Sequence, residues 1–254
     1  EEQYSYIQAA TDRGYDVLVM DGQLDVHAIS QMEQKFEKTR FVRVDSDVID
    51  KIIQKDIVEE VKLTHQQREA LTAVFELQLP KIDNANFTVS FEQMSNSASP
   101  VFVTHNEFMR RMKEMSALQG GMMSFYGEMP DSFSLVVNTA HPAIEKLLSE
   151  EESMCLEQTT VFDEKIELLK IQEKSLEEAQ KDKKPEEIPT DENAALENLK
   201  AEISALEDDK KAVFAVFASE NKQVRQLIDL ALLSSNMLKG EALANFVKRS
   251  VEML

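Results

Sequence analysis

The chain has 254 residues, 43% of them hydrophobic and 30% charged, enough apolar material for a real core and for two modest domains. A formal net charge of −19 leaves no basic surplus to displace phosphate counterions, which argues against nucleic acid as a partner. The lone Cys155 rules out an internal disulfide, and with no leader-like segment or apolar run of about 18 residues the chain reads as cytoplasmic, with no membrane partner.

Residues 2–13 carry helical periodicity, 15–20 form an apolar run, 24–36 are helical again and 40–44 alternate in strand fashion, punctuated by Gly14 and Gly22. This alternation predicts a small three-layer α/β unit over residues 1–60, because parallel strands need a crossover helix between them. Glu1-Glu2-Gln3-Tyr4 does not read as a natural start, so the expectation is an excised segment that runs to its parent's C-terminus.

From Thr64 the grammar becomes mixed α+β and opens a second domain, 61–254. Thr64 and Gln67 form a capping box ahead of a helix that Pro80 stops. Phe87, Val89 and Phe91 alternate with polar neighbours, and Val101-Phe102-Val103 follows a serine-rich turn, predicting two paired strands with one buried face. Thr104 and Glu107 form a second capping box before a helix over 106–119, which Gly120-Gly121 ends. Residues 133–137 read as a third strand, and Pro142 opens the next helix, where its missing N–H is not needed.

Residues 154–217 are rich in Glu, Lys, Leu and Ala and show no strand signal. Phe162, Ile166, Leu169 and Leu176 make one stripe, and Leu196, Leu199, Ile203, Leu206 and Val213 another. A polar loop over 181–193 separates them, which predicts an inserted antiparallel helical hairpin. Two further helices end the chain. Val224, Leu227, Ile228, Ala231 and Leu232 share one face, and Leu230, Leu233 and Met237 mark a second. After Gly240, a candidate C-cap, Leu243, Phe246, Val247, Val251 and Leu254 recur at the same spacing. With no later sequence to cover it, such a stripe predicts an interface between two copies.

No glycine-rich phosphate loop, paired cysteine or His-x-x-x-His spacing occurs, so no catalytic, metal or cofactor site is expected in this chain. His105 and His141 stand beside helix starts in capping or turn positions, and Cys155 lacks a positioned base. Phe108, Met109, Met112, Met115 and Leu118 line one side of helix 106–119, with Arg110, Arg111, Lys113 and Glu114 opposite. Met122 and Met123 continue the apolar theme. Two readings fit: a methionine-rich core helix, or a surface that remoulds around many apolar partners because methionine is unbranched and polarisable.

The order of methionine-rich helix, strand and turn Val137-Asn138-Thr139-Ala140-His141-Pro142, followed by VRQLIDLALLSSNMLKGEALANFVKRSVEML, resembles the C-terminal domain of the 90-kDa heat-shock chaperones. GYDVLVMDGQLDVHAI resembles the last, small α/β part of that family's middle domain. Residues 231–235 are the most specific match, and Thr139-Ala140 stand where the family's turn has Pro-Asp. The missing Met-Glu-Glu-Val-Asp tail points to the bacterial, high-temperature protein G branch. The resemblance covers about residues 1–150 and 220–254, leaving hairpin 154–217 as a lineage-specific insertion. It implies a stress-responsive, ATP-driven chaperone whose nucleotide and magnesium site lies in an N-terminal domain outside this chain. It also implies that Phe108, Met109, Met112, Met115, Leu118, Met122 and Met123 touch partly folded clients. A homodimeric four-helix bundle would then use Val224, Leu227, Ile228, Ala231, Leu232, Leu243, Phe246, Val247, Val251 and Leu254. Two rivals remain: a coiled-coil adapter that binds a partner through its hairpin, and an α/β enzyme fragment suggested only by the Asp21-Gly22 turn.

Overall fold

The computed structural model describes residues 3–22, 24–47, 63–94, 98–119, 125, 127, 129–181 and 189–252. They form a mixed α+β structure of eight helices and one three-stranded sheet. Two short helices come first, α1 (Tyr4–Asp12) and α2 (Asp25–Lys35). The strands expected at 15–20 and 40–44 are absent from the described residues, so the three-layer α/β unit is not seen. A strand needs a ladder, and Phe41 satisfies its backbone elsewhere: its N–H donates to Glu33 Oε1 at 2.8 Å and its carbonyl accepts from Arg111 at 2.6 Å. In the other run Leu18 and Val19 are exposed.

Helix α3 (His65–Gln78) starts where the sequence places it, with Gln67 N–H on Thr64 Oγ1 at 3.1 Å and Thr64 N–H on Gln67 Oε1 at 2.8 Å. Strands β1 (Ala85–Glu92), β2 (Val101–His105) and β3 (Asp131–Asn138) lie in the order β1-β3-β2. The first two strands therefore do not pair with each other. Instead β3 lies between them, parallel to β1 and antiparallel to β2. Its near-continuous run Phe133-Ser134-Leu135-Val136-Val137 suits a strand covered on both faces.

Between β2 and β3 comes α4 (Glu107–Gln119), which is capped by Asn106 rather than Thr104. Thr104 is buried within β2 opposite Ser134, leaving Asn106 Oδ1 to accept the Met109 N–H at 3.0 Å. After β3, His141 caps α5 (Pro142–Gln180), its Nδ1 accepting from Ala143 N–H at 3.1 Å, so the Thr139-Ala140 departure leaves the helix start intact.

Helix α5 runs 39 residues, about 58 Å at 1.5 Å per residue, and pairs with α6 (Thr190–Glu220). The expected hairpin is thus the outer part of two longer helices. At its base Cys155, Phe214, Phe217 and Ala218 join the main core, against Leu71, Val74 and Phe75 of α3. That core also takes Val103, Leu135 and Val137 from the sheet.

The chain closes with α7 (Lys222–Ser234) and α8 (Gly240–Glu252). Gly240 does not cap α7. Asn236 does, at φ 56°, with its own N–H on Leu233 O at 3.0 Å and Met237 N–H on Leu232 O at 2.8 Å.

Candidate functional site

Helix α4 is built the opposite way round from a core helix. Of its described side chains only Ser116 is buried; Met109, Met112 and Met115 are half-buried and Phe108 is 65% exposed. The Leu118 side chain, Met122 and Met123 fall outside the described residues. What holds the helix is its charged face. Arg111 donates to Glu33 of α2 at 2.8 Å, to the Phe41 carbonyl at 2.6 Å and to Glu107 at 2.6 Å. Arg110 forks onto both oxygens of Asp45 at 3.0 and 2.8 Å. Arg43 reaches Glu114 at 2.6 Å, and Lys113 reaches Asp131 at the start of β3 at 2.7 Å.

Asp45 is the knot of this network. It is 4% exposed, takes Gln3 Nε2 at 2.6 Å, and its carbonyl accepts the His105 N–H at 2.9 Å. Burial pushes its carboxyl up, but the hydrogen bond and charge of Arg110 and the Gln3 contact outweigh it and hold it below the usual range. Glu33 is likewise lowered: against its desolvation stand the Arg111 hydrogen bond and the Phe41 N–H. His105 does not cap a helix. Its ring packs edge-on to Phe133 at 4.5 Å, and desolvation followed by the Arg110 charge lowers its pKa. Beside it, Tyr6 Oη donates to the Val103 carbonyl at 2.5 Å and lies 3.0 Å from Ser235 Oγ, tying α1 to β2 and to the end of α7.

The terminal helices divide the sequence-assigned interface in two. Val224, Ile228, Ala231 and Leu232 are buried at 2% exposure or less in the chain's own core, and Phe246, Leu227 and Leu243 pack against it. The first four have almost no surface left for a partner, because the sheet and α3 already occupy that face, whereas Leu227 and Leu243 are only half-buried. The second face, Leu230 and Leu233, stays exposed, as do Val247 and Val251 on α8, while Leu254 lies outside the described residues. Gln226 donates to Ser250 at 2.6 Å, which sets these outer faces side by side. Asp229, buried at 1%, is gripped by Arg225 of α7 and Arg249 of α8, fixing how α8 lies on α7.

Among the described residues no cluster of His, Cys, Asp or Glu could hold a metal ion, and no helix is long and apolar enough to cross a membrane. Sequence reasoning found the charged face of α4 but missed Glu33, Asp45, Tyr6 and Ser235. Arg111 and Glu33 lie 78 residues apart, and no local pattern signals such a pairing.

The chain is thus a mixed α+β core that carries an ion-anchored amphipathic helix and two terminal helices with exposed outer faces. No family model matches the chain. Curated relatives do: "Chaperone protein HtpG" of Bacteroides thetaiotaomicron is 50% identical over all 254 residues, and that of Bacteroides fragilis is 48% identical. "Chaperone protein HtpG" of Porphyromonas gingivalis is 46% identical over 252 residues. Over its whole length the chain is therefore similar to one stretch of the HtpG chaperones. It spans 37% of the length of these relatives. Because the alignments run through residues 154–217, the hairpin region is shared with them.

Proposed function

We propose that this chain is the client-contacting and dimerising portion of an HtpG-type chaperone. In this reading it comprises the end of the middle domain and the C-terminal domain of a cytoplasmic, ATP-driven parent, whose nucleotide and magnesium site lies outside this chain. The observation that carries the reading is that Phe108 is exposed and Met109, Met112 and Met115 are only half-buried on a helix none of whose described side chains joins the main hydrophobic core. Half-buried methionines can change rotamer around a client without opening that core.

The test replaces Met112 and Met115 together by Gln. Binding of a reduced, carboxymethylated unfolded protein should weaken about five- to tenfold, a loss of roughly 1 kcal/mol, with the melting temperature unchanged. A large drop in melting temperature with binding retained would show that the face is core after all. The coiled-coil adapter predicts the reverse pattern, binding lost through changes in the hairpin and indifferent to α4.

A further inference from the structure

Helix α4 owes its place to charge, and its charges meet partners on residues 33–45. No described side chain of α4 enters the hydrophobic core, and its apolar residues are the exposed and half-exposed ones. The two guanidiniums at its middle do the anchoring. Arg110 closes on the buried carboxylate of Asp45, and Arg111 spans Glu33, the Phe41 carbonyl and its own Glu107. Asp45 in turn is held by Gln3 ahead of α1 and by the His105 N–H at the end of β2.

We propose that Arg110 and Arg111 are positioning residues: they clasp α4 to the segment around Glu33, Phe41 and Asp45 and so set the direction in which Phe108, Met109 and Met112 face. The orientation of the methionine face is then a property of the preceding α1–α2 segment, not of the core. A displacement of that segment turns or frees the helix while α3, the sheet and α7 stay packed. The functional half of this inference rests on the client-contact reading above; the clasp itself does not.

Three physical features support it. The Arg111 and Arg43 pairs are only partly buried and separate at modest cost, so although the Arg110 fork on buried Asp45 is tighter, the clasp opens more readily than the aliphatic core. The fork of Arg110 on Asp45 fixes an angle as well as a distance, which a single lysine contact does not. And four side chains of α4, Glu107, Arg110, Arg111 and Glu114, pair with charges on residues 33–45, whereas Lys113 pairs with Asp131 at the sheet's start.

Hydrogen exchange of the intact chain tests the clasp, with binding of the carboxymethylated unfolded protein read in parallel. In the double variant Arg110→Ala and Arg111→Ala, amides of α4 should exchange at least about tenfold faster, with those of α3 and α7 unchanged. Raising salt from about 0.05 to 1 M should move the wild-type chain the same way but less than the double variant, since partly buried pairs are screened less than exposed ones. Arg110→Lys, which keeps the charge but not the fork on Asp45, should give intermediate protection. Unfolded-protein binding should weaken at least about fivefold in the double variant. Unchanged exchange in α4, or an equal rise in α3 and α7, overturns the clasp. Faster exchange in α4 with undiminished binding upholds the clasp and overturns the client reading instead.

Discussion

At the base of the hairpin two buried groups show how single residues tune this chain. Glu151 and Cys155 lie one turn apart on α5, both buried, and hydrogen-bonded to each other. Burial first, and the neighbouring Glu152 second, push the Glu151 carboxyl up to about 7. Lys210, itself buried, does not neutralise it, because its ammonium is held by Glu69 at 2.8 Å and Asp163 at 2.5 Å. Burial also raises the Cys155 thiol to about 11, which keeps it protonated and unreactive near neutrality. A carboxyl raised on folding favours the folded state most fully below its unfolded pKa, so this contribution fades as pH climbs from about 4.5 to 7. Glu151→Gln should therefore gain up to roughly 3 kcal/mol over the wild-type chain at pH 8 and almost nothing at pH 4.5. Urea unfolding at the two pH values measures this; an equal gain at both would mean that Glu151 is not ionising inside the fold.

Among the elements, those signalled within a few residues were legible. The Thr64–Gln67 box, the His141-Pro142 start, the three strands and the two apolar stripes of α5 and α6 all depend on neighbours in sequence. Strand order was not legible, because β1 and β3 are joined by hydrogen bonds across an intervening strand and helix. Thr104 shows how a local signal can lose: the strand register buries it, so its hydroxyl cannot serve as a cap. The hairpin boundary was misplaced for a related reason, since a helical stripe does not announce where its partner changes from one helix to the whole core. Lys170 to Glu207 at 2.9 Å and Lys200 to Glu177 at 2.8 Å bridge α5 and α6 in the outer part, whereas Phe214 and Phe217 belong to the core. Deleting residues 171–206 through a short flexible linker should thus leave a cooperative melt, seen by circular dichroism. Deleting 154–217 should abolish it: two core phenylalanines at about 3–5 kcal/mol each approach the whole stability of a typical domain. A folded product of the longer deletion would return the insertion to its sequence-drawn limits.

For the whole molecule, the proposed dimer turns on which face of the terminal helices is free to meet a second copy. The spacing of apolar residues could not separate the two faces of α7, because both read as helical stripes and only packing tells them apart. Val224, Ile228 and Leu232 turn inward, which leaves Leu230 and Leu233 of α7 beside Val247 and Val251 of α8 as the seam of the proposed four-helix bundle. Burying eight such side chains across a two-fold axis, at about 1–2 kcal/mol each for surfaces already partly covered, is enough to offset the lower estimates of association cost. The grip of Arg225 and Arg249 on Asp229 keeps the two helices at one angle, so the seam is formed before the copies meet. Leu233→Glu with Val247→Glu should accordingly yield a folded monomer in sedimentation at micromolar concentration, with its helical signal intact. Leu232→Glu should behave differently, costing several kcal/mol by forcing a charge into the core and unfolding the chain rather than splitting it. A wild-type chain that sediments as a monomer, or a Leu233→Glu and Val247→Glu variant that remains dimeric, would show that this exposed face is not the seam.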